Sequence, residues 1–324
     1  VILHFVATAP AKVNLHLGVG EARADGYHDL VTVFQSVDLW ETVRLSVDTR
    51  APRVTQGSVV TGMTTSFGVK RPAEDIDTPA NLAWRAVDAV VDAYRRIDGA
   101  VSLPRVSIEV EKNVFVAGGM AGGSADAAAA LLAANAFVGH YGGTTLSRDT
   151  IVDLAKSLGA DVPFCLMGGT ALGAGRGDEV VEMMSRGLYW WVFINPSVPL
   201  PTGEAFSRLD DLRHNDASVV PHLNTTTLSR CLLTGEPRLV ARALHNDLQP
   251  VAVAMRPQLR ALLDFAADCG LRAIVSGSGP TVALLCEDEE DALDARDRIE
   301  AAFDGYEIVC AAGPTTGARE VLEY

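Results

Sequence analysis

Phosphate binding is the clearest chemistry in this sequence, and glycines carry it. Residues 114–135 read V-F-V-A-G-G-M-A-G-G-S-A-D-A-A-A-A-L-L-A-A-N. Gly118, Gly119, Gly122 and Gly123 lack Cβ, so their N–H groups can approach a ligand closely and accept φ > 0. Ser124 reads as the cap of the Ala/Leu helix that follows, with Asp126 in its first turn, where a negative charge suits the dipole. Free N–H groups at such a helix start favour an anion. No Gly-Lys-Ser/Thr closes the loop, so it is not a Walker A sequence, and it lacks the G-x-G opening of a dinucleotide fingerprint. A tight turn packing a helix on a sheet remains the plain alternative.

Other groups could join it. Lys12, Asn14 and His16 alternate with Val13, Leu15, Leu17 and Val19, which gives one polar face of a strand, solvated or functional. Lys12, Lys70, Lys112 and Lys156 are the only lysines among 27 basic residues, and Lys12 and Lys112 both fall beside candidate motifs. Asp25-Gly26-Tyr27-His28 makes a wall for a flat polar ligand, or a hairpin turn. Asp161, in Gly-Ala-Asp-Val-Pro-Phe, reads as the cap of a short helix with Pro163 in its first turn. Ser276-Gly-Ser-Gly-Pro-Thr281 is a second anion-friendly turn, or a hairpin between two strands. Asn81 falls in the first turn of a helix expected to start at Thr78-Pro79, where its side chain reaches a ligand or only the backbone.

The elements that must position these groups follow from periodicity. Strands are expected over residues 5–19, interrupted near Pro10, then over 30–47 and 106–110. Residues 48–77 read as loop with short strand pieces, 78–96 and 151–158 as helices, and 168–177 as a glycine-rich turn. After a hydrophobic strand at 189–194, with Trp190 and Trp191 as core, residues 196–201 look like a crossing between domains. Helices at 238–245, 257–267 and 288–303 with strands at 273–275, 282–286 and 306–311 give a split β-α-β layout of ferredoxin-like type. Two domains suit 324 residues.

Composition excludes several classes. A net charge of −14 opposes nucleic-acid binding. Apolar runs fall short of a membrane span. No signal peptide is apparent, so the cytoplasm is the expected address. Cys165, Cys231, Cys269, Cys286 and Cys310 are scattered without a C-x-x-C pair, which predicts core residues rather than disulfides or zinc ligands.

Three separated stretches, Pro10-Ala-Lys12-Val-Asn14-Leu with Asp25-Gly-Tyr-His28, Gly118-Gly-Met-Ala-Gly-Gly-Ser124-Ala-Asp126-Ala, and Ser276-Gly-Ser-Gly-Pro-Thr281, resemble in order and spacing the three motifs of the GHMP kinases. The resemblance spans residues 9–314 and is weakest over 207–248. It implies an α/β (α+β) two-domain fold, a nucleotide-binding unit at 1–167 and a ferredoxin-like unit at 168–324, with the active site in the cleft between them. It implies a small-molecule kinase using ATP, with Mg²⁺ carried by the nucleotide and no all-protein metal site. Asp161 then matches the catalytic aspartate and Lys12 the lysine beside it. Phe115, Val116, Ala117, Gly118, Gly119, Met120, Ala121, Gly122, Gly123, Ser124 and Ala125 match the phosphate loop, with Asn81 and Lys112 near the adenine. Asn14, Tyr27, His28, Thr202, Phe206, Gly277, Ser278 and Gly279 match the acceptor pocket, where Tyr27 and Phe206 stack on a cytosine and His28 reads its edge. The acceptor implied is a cytidine diphosphate-linked methylerythritol. Homoserine, mevalonate or sugar kinases, and a non-catalytic nucleotide-binding descendant, are the alternatives. The chain departs from the family pattern at Phe115, usually proline, and at Ala125, often serine. Oligomeric state is left open.

Overall fold

The computed structural model describes residues 2–24, 26–50 and 52–321, so Asp25 of the Asp-Gly-Tyr-His stretch lies outside the described residues. The chain begins with two long strands, β1 (Ile2–Ala22) and β2 (His28–Asp48), then β3 (Arg53–Val54), β4 (Val60–Phe67), helix α1 (Leu82–Ile97), β5 (Leu103–Pro104) and β6 (Val106–Lys112). Helices α2 (Gly122–Gly142), α3 (Arg148–Leu158) and α4 (Val162–Met167) follow, then β7 (Thr170–Ala174), β8 (Glu179–Glu182) and β9 (Tyr189–Asn195). Five helices and strands make the next stretch: α5 (Thr202–Asn215), α6 (Thr226–Thr234), α7 (Pro237–Ala243), β10 (His245–Asn246) and α8 (Gln249–Met255). The chain continues through α9 (Gln258–Asp268), β11 (Arg272–Val275), β12 (Val282–Cys286), α10 (Glu289–Ala302), β13 (Glu307–Gly313) and β14 (Arg319–Val321).

One sheet carries the first half in the order β10-β1-β2-β6-β4, with β7 on β2, β8 on β7 and β14 on β1. The strand expected to break at Pro10 runs through it. Proline brings no N–H, and the β1–β2 register shifts between Pro10 and Ala11, so the chain absorbs it as an irregularity. The β1 edge opposite β2 is covered only at its ends, by β14 at Val6–Thr8 and by β10 at His16 and Leu17. Residues 9–15 therefore have an open edge, onto which the glycine loop docks through Lys12 N–H to the Met120 carbonyl, 3.1 Å. Helix α2 is alanine-rich and buried along its length, with Ala127–Ala130, Ala133 and Ala134 fully covered between α1, α4 and the sheet. A helix apolar on all sides belongs in the interior.

The second sheet runs β11-β12-β9-β13, all antiparallel, the strand order of the ferredoxin-like layout expected from the sequence. Alternation along β9 divides its two faces. Tyr189, Trp191 and Phe193 pack on Ala11, Val13 and Leu15 of β1, whereas Val192 and Ile194 face the core lined by α8, α9 and α10. The two halves thus share a core directly behind Lys12 and Asn14. Met255 lies in the second core and Cys165 and Cys286 are buried and free, both as packing residues.

Several local expectations are corrected. The first long helix starts at Leu82, capped by Asn81 rather than by Thr78. Helix α2 starts at Gly122 with Ala121 as N-cap at φ +61°, three residues before the cap proposed at Ser124, and its first turn holds no acid. Residues 60–67 form a full strand inside the expected loop, parallel to β6, and β7 occupies the turn expected at 168–177. Among the described residues, no helix is long and apolar enough to cross a membrane.

Candidate active site

Lys12 is 3% exposed and stands at the open edge of β1. Its ammonium donates to Asn14 Oδ1 at 2.6 Å and to the Gly119 carbonyl at 2.8 Å, and lies 3.6 Å from Asp161 Oδ2. Two hydrogen bonds and an ion pair therefore orient the buried ammonium. Asn14 is oriented in turn: its amide donates to Thr32 Oγ1 at 2.8 Å, and that hydroxyl donates to the His16 carbonyl at 2.7 Å. The polar face of β1 is therefore buried, not solvated. Asp161 occupies the N-cap position of α4 but its side chain makes no capping bond, so its carboxylate, about one-third exposed, is free for a ligand.

The glycine loop and the third motif meet back to back. Gly119 has φ +79°, and a Cβ there would strike the Ser276 carbonyl. Gly277 has φ +59°, and a Cβ there would come within 3.2 Å of Lys12 Nζ and 3.4 Å of Asn14 Oδ1. Ser276 Oγ donates to the Gly119 carbonyl at 3.0 Å, while Asn246 Nδ2 donates to the carbonyls of Val275 and Gly277, each at 2.7 Å. Residues 276–281 are both the β11–β12 hairpin and a wall of the site. A 380 Å³ cavity is lined by Lys12, Asn14, Asp161, residues 117–119 and 121–124, Thr202, Phe206 and residues 277–279. The first N–H groups of α2 lack helical partners there, which suits phosphate oxygens.

A second cavity of 440 Å³ shares Leu82, Ala117 and Gly123 with the first. Asn81, Lys112, Val116 and Asp126 line it. Asn81 uses its side chain on the backbone, accepting from Ala83 N–H at 2.9 Å and donating to the Ile76 carbonyl at 3.0 Å. Lys112 is buried between Glu41 and Asp126, at 2.9 and 2.6 Å. Glu41 also accepts from the N–H groups of Asn113 and Val114, so this cluster ties β2, the start of the loop and α2 together. Burial, reinforced by the Asp126 carboxylate, pushes Glu41 up to about 8. Burial also raises Asp126, against the pull of Lys112, and Asp126 Oδ1 has no hydrogen-bond partner among the described residues. Phe115, Met120 and Ala125 are buried packing residues, not cavity-lining ones. A hydroxyl in place of the Ala125 methyl would sit in the core.

On the α5 side of the first cavity, Thr202, Phe206 and Asp210 recur at four-residue spacing, one face of a helix. Thr202 Oγ1 lies 2.9 Å from Ser278 Oγ, Asp210 Oδ1 lies 2.8 Å from His28 Nε2, and the Phe206 ring lies 5.1 Å from the His28 ring. Tyr27 is 58% exposed and, with His28, lies outside the cavity lining. Arg176 lines the cavity and is held by Asp178 at 2.7 Å. Thr32, Glu41, Asp126, Arg176, Asp210 and Asn246 were not singled out from sequence as site residues. Asp210 and Asn246 fall within the stretch where the motif likeness is weakest.

Two family descriptions match the chain, GHMP kinases N terminal domain over residues 81–169 and GHMP kinases C terminal over residues 228–305. The chain is 45% identical over 316 residues to the 4-diphosphocytidyl-2-C-methyl-D-erythritol kinase of Corynebacterium efficiens, spanning 97% of this chain and 95% of that protein. It is 40% identical to the enzyme of that name from Nocardia farcinica, over 97% and 95%. A crystal structure of 4-(cytidine 5'-diphospho)-2C-methyl-D-erythritol kinase superposes with a TM-score of 0.68 at 28% identity, covering 95% of this chain and 99% of that one. An L. major mevalonate kinase (TM-score 0.70, 11% identity, 96% of each chain) shares the fold.

Proposed function

The chain belongs to the GHMP kinases and, within them, to the 4-diphosphocytidyl-2-C-methyl-D-erythritol kinases, and on that premise we propose that it moves the γ-phosphoryl group of ATP to the C2 hydroxyl of 4-diphosphocytidyl-2-C-methyl-D-erythritol. The product is the 2-phosphate, an intermediate of non-mevalonate isoprenoid precursor synthesis. The observation that carries the reading at residue level is the Lys12–Asp161 pair, facing the glycine loop across one cavity.

Phosphoryl transfer needs in-line positioning and neutralised charge more than covalent chemistry. The α2 N-terminus and the N–H groups of residues 117–124 hold the phosphates. Asp161 accepts the proton of the attacking hydroxyl, and Lys12, oriented by Asn14 and the Gly119 carbonyl, keeps that carboxylate in place and faces the charge that develops. Asn14 and the Gly277–Gly279 turn bound the acceptor. Phe206 and Tyr27 supply aromatic surface for the cytosine, and His28, fixed by Asp210, has one ring nitrogen left for its polar edge. Arg176 is the second cation lining the cavity, beside Lys12, and suits the acceptor's diphosphate. Asn81, Lys112 and the unpaired Asp126 Oδ1 border the adenine space.

The donor set suits a magnesium ion held by the nucleotide. Ser124 offers a hydroxyl oxygen to the cleft, and among the described residues no group of three or more His, Cys, Asp or Glu could hold a metal alone. When bound, Mg²⁺ neutralises triphosphate charge. We also propose two functional units, 1–167 for ATP and 168–324 for closing the acceptor side, tied by β7 and β10 joining the first sheet. The partners are small molecules and the compartment the cytoplasm. The intact Lys12–Asp161 pair argues against a non-catalytic descendant. Homoserine, mevalonate and sugars offer no base for Phe206 and Tyr27. An ADP-release assay coupled to NADH oxidation tests the reading: turnover with the cytidine-bearing acceptor and none with homoserine, mevalonate or galactose supports it, and the reverse pattern overturns it.

A further inference from the structure

Asp161 owes its place to the backbone rather than to its own side chain. It makes no capping bond and lies 3.6 Å from Lys12, so the carboxylate goes where α4 goes. That helix has 6 residues, a length of about 9 Å and too short to hold a place without packing. Its amino end carries Asp161, and its carboxyl end is gripped by a distant segment of the chain.

Residues 314–318 leave β13 in the second sheet and cross the end of α4 to reach β14 on β1. Ala318 N–H donates at 2.9 Å to the Cys165 carbonyl, in the last turn of α4, where carbonyls lack helical partners. Gly169 N–H donates to the Thr315 carbonyl at 2.8 Å, and Gly168 forms an antiparallel bridge with Thr316. Gly317 is buried between these bonds. A Cβ on it would strike the Leu166 and Met167 carbonyls, and a Cβ on Gly168 would strike Gly317 N. The two backbones meet with no room for a side chain on either.

Ser36 ties this crossing to Lys12. It stands opposite Lys12 in the β1–β2 register and is fully buried. Its N–H donates to the Gly169 carbonyl at 2.9 Å, while its hydroxyl donates to the Thr315 carbonyl at 2.6 Å and accepts from Thr315 N–H at 3.1 Å. One residue beside Lys12 thus holds both the end of α4 and the segment that presses on it. Neither Ser36 nor any residue of the crossing lines the cleft, so binding of the substrates does not need them.

We propose that the 314–318 crossing is a positioning element for phosphoryl transfer, in which Gly317 and Ser36 set where the Asp161 carboxylate stands relative to Lys12 and the attacking hydroxyl. The inference rests on Asp161 as the general base. A methyl group at 317 must displace the crossing or α4 by about 1 Å, and a misplacement of that size costs about 100-fold in rate.

The test is a double-mutant cycle on the full chain: parent, Gly317→Ala, Asp161→Asn and the double variant, by coupled ADP release with ATP and the cytidine-bearing acceptor. Gly317→Ala should lower kcat about 100-fold with KM for both substrates little changed and calorimetric binding of β,γ-methylene ATP intact. In the Asp161→Asn background the same substitution should cost little further, because the base it misplaces is already gone. A role in folding alone would cost the same factor in both backgrounds. Melting temperatures verify folding, and Ser36→Ala, which removes the hydroxyl and leaves the glycines in place, carries the same cycle if Gly317→Ala does not fold. Parent-like kcat in the folded variants, losses that multiply in the Asp161→Asn background, or a raised KM at unchanged kcat would overturn the proposal. Parent-like kcat in Asp161→Asn itself would remove the general base and the proposal with it, an outcome distinct from failure of the crossing alone.

Discussion

Asparagine at position 161 separates structure from chemistry, because the structure removes the usual reason such a change would destabilise. Asp161 sits at the N-cap of α4 without a capping bond, so none is lost. What is lost is an ion pair of 3.6 Å with Lys12, on a carboxylate 32% exposed. Screening limits such a pair to about 1 kcal/mol, a shift of roughly 2 to 4 °C in melting temperature. Lys12 keeps its bonds to Asn14 and Gly119, so the cleft stays assembled. The chemical loss is far larger. An amide cannot take the hydroxyl proton, and general-base catalysis contributes about 10²- to 10⁴-fold, or roughly 3 to 5 kcal/mol of barrier. Steady-state kinetics by coupled ADP release should show kcat lowered by that factor with KM for both substrates little changed, since the interaction belongs to the transition state. A folded Asp161→Asn enzyme keeping more than about a tenth of the parent kcat would refute the assignment.

Lys12→Met should also lower kcat, and the double variant with Asp161→Asn should lose much less than the product of the single effects; multiplicative losses would mean the two act independently. Phe206→Ala or Tyr27→Ala should weaken the cytidine-bearing acceptor by about 1 to 3 kcal/mol with ATP affinity intact, read by calorimetry, and unchanged affinity in both removes the stacking role. Phe115→Pro deletes a ring 3% exposed in the core shared by both halves. A stability loss of about 3 kcal/mol or more in chemical denaturation should therefore outweigh any gain from a stiffer loop, and a variant as stable as the parent contradicts this. Glu41 is raised to about 8 from its ordinary 4.5, so between those values the folded chain holds a proton that the unfolded chain has released. Stability must then fall as pH rises through that window. Glu41→Gln, which cannot ionise, should flatten the fall in melting temperature between pH ~5 and ~8, and parallel curves for the two proteins would show that Glu41 is already charged.

What the sequence made legible were the pieces whose chemistry is local. A glycine loop ahead of an alanine helix, a ferredoxin-like order of strands and helices, and an aspartate next to Pro163 can each be read from neighbours in the chain. Whether Lys12 faced solvent or a site could not, because a strand's two faces look alike until something packs on them. The answer came from β9, some 180 residues away, whose Tyr189, Trp191 and Phe193 cover one side while Gly119 and Gly277 close on the other. The same reason hid Glu41, the buried pairing of Asp126, and Asn246. Each acts by reaching a backbone group or a charge far off in sequence, and Lys112, the partner of the first two, reads as a free cation unless both carboxylates are known to lie within 3 Å. Backbone rules also misled at the ends of helices. Pro79 marked a helix start three residues early, and Ser124 a cap three residues late, because Ala121 adopts a left-handed conformation that residue type did not announce. That conformation opens α2 at Gly122, so Gly122, Gly123 and Ser124 open the helix on the cavity that Lys12 and Asp161 also line. The feature least visible in the sequence is thus the one that brings the helix end we propose for phosphate binding to the Lys12–Asp161 pair.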